Sequence, residues 1–186
     1  MLIDNTGSMR SQFNIVMQLG KELARQLHNR GPVSIFSFES ARDRRDSHAK
    51  ISATVEQTQD EVLLNKGFDG IYVQSGQTTL LDAIEFMAED LNSKATDRAK
   101  FIVLITDGEE RASKRSAAQV VEKLHRMNIS VYAIGLVREL EPDKRRKAAE
   151  LLRMISRETG GRAVIVEPGI VNVQNVISEL ALTAIN

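Results

Sequence analysis

Apolar residues along this chain alternate between helical spacing and strand-like runs. After residue 8 they recur every three or four positions as far as Leu27, which predicts a helix of about twenty residues that ends before Gly31-Pro32. Residues 33–38 and 51–55 each alternate apolar with small polar residues, and this predicts two strands paired as a hairpin. The stretch 39–49 between them is charged and without periodicity, so we predict a loop.

The second half of the chain repeats a strand–helix alternation. Residues 101–105 are all apolar, which favours a parallel strand covered on both faces. Further strands are predicted at residues 129–136 and 163–166, and helices at 59–66 (ending at Gly67), 80–91, 113–127, 143–158 and 171–182. With a short first strand at the N-terminus, this order predicts a doubly wound α/β fold. Its central sheet has about six strands and is mostly parallel, with one antiparallel hairpin edge and helices on both faces.

Composition narrows the class of protein only modestly. Of the 186 residues, 42% are hydrophobic and 27% charged, which is typical of a folded globular domain. The formal net charge of zero gives no indication of a nucleic acid or anionic membrane partner. Cysteine is absent, so disulfides and thiolate metal sites are excluded. No apolar run approaches the roughly eighteen residues that span a bilayer, so we expect no direct membrane insertion.

The first predicted strand is short, because it ends at Asp4, whereas buried strands usually have about five or six residues. We therefore expect a single domain over residues 1–186 whose first strand is truncated at its N-terminus. A secreted or cell-envelope location is expected if an upstream signal peptide has been lost, and a cytoplasmic location otherwise.

Oxygen-bearing side chains collect where predicted strands end and helices begin. Parallel strands present their carboxyl ends at one edge of the sheet, where ligands bind at the reversal of strand order. The residues expected there are Asp4, Thr6 and Ser8 after the first strand, Thr78 before the second long helix, and Asp107 after the most apolar strand. Two carboxylates and three hydroxyls suit a hard divalent cation such as Mg²⁺, with room for water or an acidic partner. Zn²⁺ would prefer Cys or His ligands.

Each of these residues also has an ordinary structural explanation. Asp4, Ser8 and Thr78 could cap helices, and Asp107-Gly108 is a common turn. Only their joint occurrence favours a metal site. Other candidates are weaker: the three histidines share no ligand spacing, the charges of residues 42–46 largely cancel, and residues 144–147 favour a solvated face over an acidic partner. Glu109 and Glu110 either rim the site or are simply exposed loop acids.

At these residues the chain resembles a known family. Asp4-x-Thr6-x-Ser8, Gly76-x-Thr78 and Thr106-Asp107-Gly108 are similar, in order, to the metal-ion-dependent adhesion site (MIDAS) of the von Willebrand factor type A (VWA) domain. The segments DNTGSM, SGQTTLLDAI, FIVLITDGEE and VYAIGL also resemble segments of this family, particularly of its bacterial members. The resemblance extends from residue 1 to about residue 166.

The resemblance implies a Rossmann-like VWA fold and a protein-binding (adhesion) module that is not an enzyme. It implies that the hydroxyls of Thr6, Ser8 and Thr78 touch the cation directly, while Asp4 and Asp107 often act through water. The cation, Mg²⁺ with Mn²⁺ or Ca²⁺ as alternatives, would then accept a Glu or Asp of a partner protein. The family more often has Ser where this chain has Thr6, which keeps the oxygen and adds a methyl group.

Two other functions are compatible with the same residues. Asp4-Asn5-Thr6-Gly7-Ser8 also looks like the phosphorylation motif of P-type ATPases and phosphohydrolases, in which the Asp attacks phosphate. That interpretation lacks the Lys expected at position 5, a downstream Mg²⁺-holding motif, and an acid at position 6. The third alternative is a structural scaffold with an idle metal site.

Overall fold

The computed structural model describes residues 1–40, 49–74, 78–94, 99–169 and 171–180 of the chain. Its six-stranded sheet has the order β3-β2-β1-β4-β5-β6, and every neighbouring pair is parallel except β2 and β3. The strands are β1 (Leu2–Asp4), β2 (Val33–Ser40), β3 (Ala49–Thr58), β4 (Lys100–Thr106), β5 (Ile129–Gly135) and β6 (Ala163–Ile165). The predicted mostly parallel sheet with one antiparallel edge is confirmed.

Helices cover both faces of the sheet. The α-helices are α1 (Phe13–Leu27), α2 (Glu61–Asp69), α3 (Leu80–Ser93), α4 (Ala117–Arg126), α5 (Pro142–Glu158) and α6 (Val173–Leu180). Two short 3₁₀ helices, Gly7–Gln12 and Val137–Glu139, precede α1 and α5. One apolar core lies between the sheet and α1, α2 and α6, and a second lies between the sheet and α3, α4 and α5. Among the described residues, no helix is both long and apolar enough to cross a bilayer.

Alternation of side chains along the central strands supplies both cores. Leu2 of β1 packs into one core and Ile3 into the other. In β4, Ile102 and Leu104 face one side while Val103 and Ile105 face the other, and all four are buried. The five-residue apolar run is therefore a strand covered on both faces, as predicted. It pairs with β1 on one side and with β5 on the other.

Several predicted boundaries were wrong, and local packing or capping explains two of them. Helix α2 continues through Gly67, because this glycine lets the helix approach β3: an added Cβ would lie 2.3 Å from Val55 Cγ2. Helix α4 begins at Ala117 instead of residue 113, because Ser116 and Gln119 form a capping box at its N-terminus. Strands β2 and β3 extend into the predicted loop at both ends, and residues 41–48 lie outside the described residues.

Candidate functional site

The carboxyl ends of β1 and β4 bring two acids together at the centre of the sheet. The chain reverses its direction across the sheet between these adjacent strands, which is where α/β sheets form binding sites. Asp4 ends β1 and Asp107 directly follows β4. Their side chains lie on the protein's inside, with 0% and 1% of each residue exposed. Two carboxylates in this position are costly unless something positive or a proton compensates them.

Asp4 is held in place by hydroxyl and amide donors. Thr6 donates its backbone N–H (3.0 Å) and its hydroxyl (2.7 Å) to Oδ1 of Asp4, and Thr106 donates its hydroxyl to Oδ2 at 2.6 Å. Burial, together with the charge of Asp107, raises the pKa of Asp4 from 3.8 to about 7 although these hydrogen bonds lower it. The Oγ atoms of Thr6 and Ser8 are 3.1 Å apart, so both predicted hydroxyls lie beside Asp4.

Asp107 has one carboxylate oxygen without a partner. Its Oδ1 accepts the N–H of Glu109 at 2.9 Å, whereas Oδ2 is buried and forms no hydrogen bond to any described residue. Burial raises the pKa of Asp107, and the Ser8 hydroxyl and the Glu109 N–H lower it by less. The Ser8 hydroxyl lies nearby but forms no hydrogen bond to Oδ2. An unpaired buried carboxylate oxygen is unusual in proteins, and it suits a cation ligand. The donor set therefore fits a hard divalent cation.

Thr78 approaches the same edge of the sheet from the start of α3. It is buried, and its carbonyl accepts the N–H of Arg111 at 3.1 Å, so its loop lies against the loop that follows Asp107. The neighbouring Thr79 has a buried hydroxyl with no partner among the described residues. The structure thus brings together the segments of all five predicted residues. The predicted turn at residues 76–77 lies outside the described residues.

Glu110 joins the loop after β4 to the first turn of α3. Its carboxylate accepts the N–H groups of Ala112 (2.9 Å) and Ser113 (2.8 Å) and the hydroxyl of Ser113 (2.7 Å) within its own loop. It also accepts the N–H of Leu81 at 3.0 Å, while the Ser113 hydroxyl accepts the N–H of Asp82 at 3.2 Å. Glu110 therefore sets the position of the Asp107 loop relative to the helix that follows Thr78.

Glu109 is buried and forms ion pairs with two basic side chains. Its carboxylate oxygens bind Arg111 and Lys144 separately, the latter at 2.8 Å. Burial raises the pKa of Glu109, but the two cations outweigh burial and hold the pKa below its usual value. Glu109 is thus an ionised acid, and Lys144 of the basic run contacts this loop acid.

Several site residues were not predicted as such from the sequence. Thr106 lies within one of the motifs, but nothing in its spacing identifies its bond to Asp4. The side-chain amide of Asn5 donates to the carbonyl of Tyr72 at 2.9 Å, and its backbone carbonyl accepts the N–H of Gln74 at 2.7 Å. Tyr72 is 66% exposed, so an aromatic side chain projects from a segment anchored beside Asp4.

The histidines have other partners. His28 Nδ1 lies 2.8 Å from the carbonyl of Arg25, and His125 contacts the carbonyl of Glu158. His48 lies outside the described residues. Within the described ranges there is no group of three or more His, Cys, Asp or Glu side chains placed to hold a metal ion. Any cation at the sheet edge would therefore depend on hydroxyl ligands in addition to Asp4 and Asp107.

Comparison with known proteins identifies the family. The model of the von Willebrand factor type A domain matches residues 1–178, so the chain belongs to this family. No curated protein matches the sequence significantly. The family match agrees with the six-stranded Rossmann-like sheet described above.

Solved structures with the same fold come from diverse sources. The conserved hypothetical protein BatB from Bacteroides thetaiotaomicron aligns over 97% of this chain and 96% of its own, with a TM-score of 0.70 and 15% identity. The pilus adhesin SpaC from Lactobacillus rhamnosus GG has a TM-score of 0.65 and 14% identity over 98% of this chain and 29% of its own. Proximal thread matrix protein 1 from the mussel byssus, solved with a zinc-occupied MIDAS motif, has a TM-score of 0.69 and 16% identity, over 97% of this chain and 45% of its own.

Proposed function

We propose that this VWA domain is a metal-dependent protein-binding module rather than an enzyme. Its five ligand residues would be Asp4, Thr6, Ser8, Thr78 and Asp107, and its ligand would be a Glu or Asp side chain of a partner protein. The observation that carries the proposal is the buried Oδ2 of Asp107, which has no hydrogen-bond partner among the described residues, beside a second buried acid. Arg111 lowers the pKa of Asp107 by less than burial raises it, so the pKa of both acids stays raised.

The side chains suggest how such a site would work. When bound, a divalent cation would supply a positive centre that accepts a carboxylate oxygen of the partner. Thr6 and Thr106 hold the Asp4 carboxylate in one orientation, so its charge is available without rearrangement. Because the hydroxyl ligands are neutral, two carboxylates offset the charge of the ion without exceeding it. The site would then retain affinity for an anionic group.

The preferred cation in this proposal is Mg²⁺, with Mn²⁺ or Ca²⁺ as alternatives. All five predicted ligands are oxygens, which hard cations favour. The zinc-occupied MIDAS motif of the mussel byssus protein is a reason to include Zn²⁺ in any titration.

The phosphohydrolase alternative has less support. A nucleophilic Asp needs an oxygen free to attack phosphorus. In Asp4, Oδ1 accepts two donors from Thr6 and Oδ2 accepts the hydroxyl of Thr106, and the residue is 0% exposed. No observation favours catalysis at this position over ligand binding.

Isothermal titration of the parent protein with Mg²⁺, Mn²⁺, Ca²⁺ and Zn²⁺ tests the metal part of this proposal. We expect Asp107→Asn to weaken Mg²⁺ binding at least about tenfold, since it removes a charged ligand. Asp69→Asn is the matched control, because Asp69 is two-thirds exposed and pairs with Lys21. Equal Mg²⁺ affinity in the parent and Asp107→Asn would contradict the proposal.

Acetate binding to the Mg²⁺-loaded protein tests the partner chemistry. NMR titration should detect acetate at the site only when Mg²⁺ is present, because the isolated carboxylates would repel it. Acetate binding of equal strength with Mg²⁺ and with excess chelator would show that carboxylate recognition does not depend on the metal.

A further inference from the structure

A pair of cations lies beside the proposed metal site and is organised by a buried acid. Arg111 and Lys144 bind different oxygens of the Glu109 carboxylate. Only 9% of the Glu109 side chain is exposed, whereas 46% of Arg111 and 56% of Lys144 are exposed. The negative charge therefore lies inside and the two positive charges face outward.

This arrangement leaves a surplus of positive charge at the surface. One carboxylate neutralises one of its two cations, so the cluster of Glu109, Arg111 and Lys144 carries a net charge of one. Two acids near it in sequence have partners of their own: Glu110 accepts bonds from its own loop and from α3, and Asp143 lies 3.9 Å from Arg146 on helix α5. The surplus charge is available to an external anion.

The cation pair is close enough to the metal site to act on the same partner. Glu109 lies two residues after Asp107, so their Cα atoms are at most about 7 Å apart. Arg111 is also near enough to Asp107 for its charge to lower the pKa of that acid. The Cα atoms of two partner acids separated by one residue lie at most a similar distance apart.

We infer that Arg111 and Lys144 form a second carboxylate subsite, so that the preferred partner is an acidic segment with two acids close together. The first acid would bind at the metal, and the second would contact the cation pair. This inference rests on the proposed function, because it assumes that the first carboxylate binds at the five-oxygen site. Recognition of the second carboxylate is electrostatic and needs no change in the fold.

Two capped glycine peptides provide the test, one with a single Glu and one with two Glu residues separated by one glycine. Their affinities for the Mg²⁺-loaded protein are measured by NMR titration. The two-Glu peptide has a statistical advantage of about twofold, because either Glu can occupy the metal site. We expect roughly a further threefold preference from the cation pair, as for exposed charge pairs, and a decrease of this excess on addition of salt.

Variants separate the subsite from the metal site. The double variant Arg111→Gln, Lys144→Gln should lose the excess preference for two, which is measured as the ratio of the two peptide affinities within each variant. Lys21→Gln is the matched control, since Lys21 also pairs with an acid and is similarly exposed, but lies on α1. Lys144→Arg should keep the preference, because it conserves the charge.

The possible outcomes are distinguishable. A parent protein that binds the one-Glu peptide only with Mg²⁺, but shows no preference beyond the statistical factor, would overturn the subsite and leave the proposed function intact. An excess preference that survives in the double variant would also overturn the subsite. Absence of Mg²⁺-dependent binding of the one-Glu peptide would contradict the proposed function and the inference with it.

Discussion

The charge of Asp4 should destabilise the protein when no metal is present. The pKa of Asp4 is raised from 3.8 to about 7, chiefly because burial and then Asp107 disfavour the ionised form. In this pH window the folded protein holds a proton that the unfolded chain has lost. The free energy of unfolding should therefore fall as pH rises from about 4 to about 7 and then level off. The shift corresponds to at most about 4 kcal/mol.

The variant Asp4→Asn isolates this cost. Without metal at pH 8, the neutral amide avoids the penalty of burying a charge. It has one acceptor oxygen in place of two, however, so it cannot accept hydrogen bonds from both Thr6 and Thr106, a loss of about 1–2 kcal/mol. We expect the variant to be more stable than the parent at pH 8 by about 2 kcal/mol. At pH 5 the parent carboxyl is protonated, so the difference should largely disappear.

Urea unfolding in excess chelator at pH 5 and pH 8 measures both values, with Asp69→Asn as the control for removal of an exposed acid. Addition of Mg²⁺ at pH 8 should then stabilise the parent, by about 2.7 kcal/mol at a hundredfold excess over Kd, and leave Asp4→Asn unchanged. A metal-free parent that is equally stable at both pH values, with Asp4→Asn no more stable than the parent at pH 8, would refute the assignment of a buried, destabilising charge.

Two further substitutions test features that hold the site and the fold. Thr106→Val removes a fully buried hydroxyl that donates to Asp4 and accepts the Gly108 N–H at 2.9 Å. The variant should lower the free energy of unfolding in urea by about 2 kcal/mol and weaken Mg²⁺ binding measured by calorimetry. Thr106→Ser should retain most of the stability and most of the Mg²⁺ affinity. Gly67→Ala places a methyl group against Val55 and should lower the free energy of unfolding by about 1–3 kcal/mol. In the same urea measurement, adding Val55→Ala should restore part of this loss. Fully additive effects of the two substitutions would argue against the contact.

The sheet was predictable because its hydrophobic periods are strong. The all-apolar run in β4 and the alternation in β2 and β3 led to the observed strand types and to the antiparallel edge. Helix boundaries were less predictable. Gly67 lies within α2 despite its low helix propensity, because α2 packs so close to Val55 that a Cβ at this position would clash. Such a contact joins residues of different elements, and no local pattern in the sequence records it.

The candidate site was likewise predictable from the sequence only in part. Asp4 and Asp107 could be paired in advance, since adjacent parallel strands end at the same edge of a sheet. Hydrogen-bond partners whose position depends on the path of a loop could not be predicted in this way. The sequence allowed two roles for Glu109, as a rim acid or an exposed loop acid. It is in fact buried, and Lys144 of α5 binds it. The sequence contains both residues but not the distance between them.

The hydrogen bonds of Glu110 have a consequence for protein engineering. The Glu110 carboxylate links the loop after β4 to the backbone of Leu81. The loop after β4 and the first turn of α3 therefore hold each other in position, although they are distant in the sequence. A designer who exchanges either stretch alone to obtain a new specificity would leave Glu110 or the first turn of α3 without its counterpart. Grafts onto this scaffold should therefore transfer both stretches together or keep Glu110 and Ser113 unchanged.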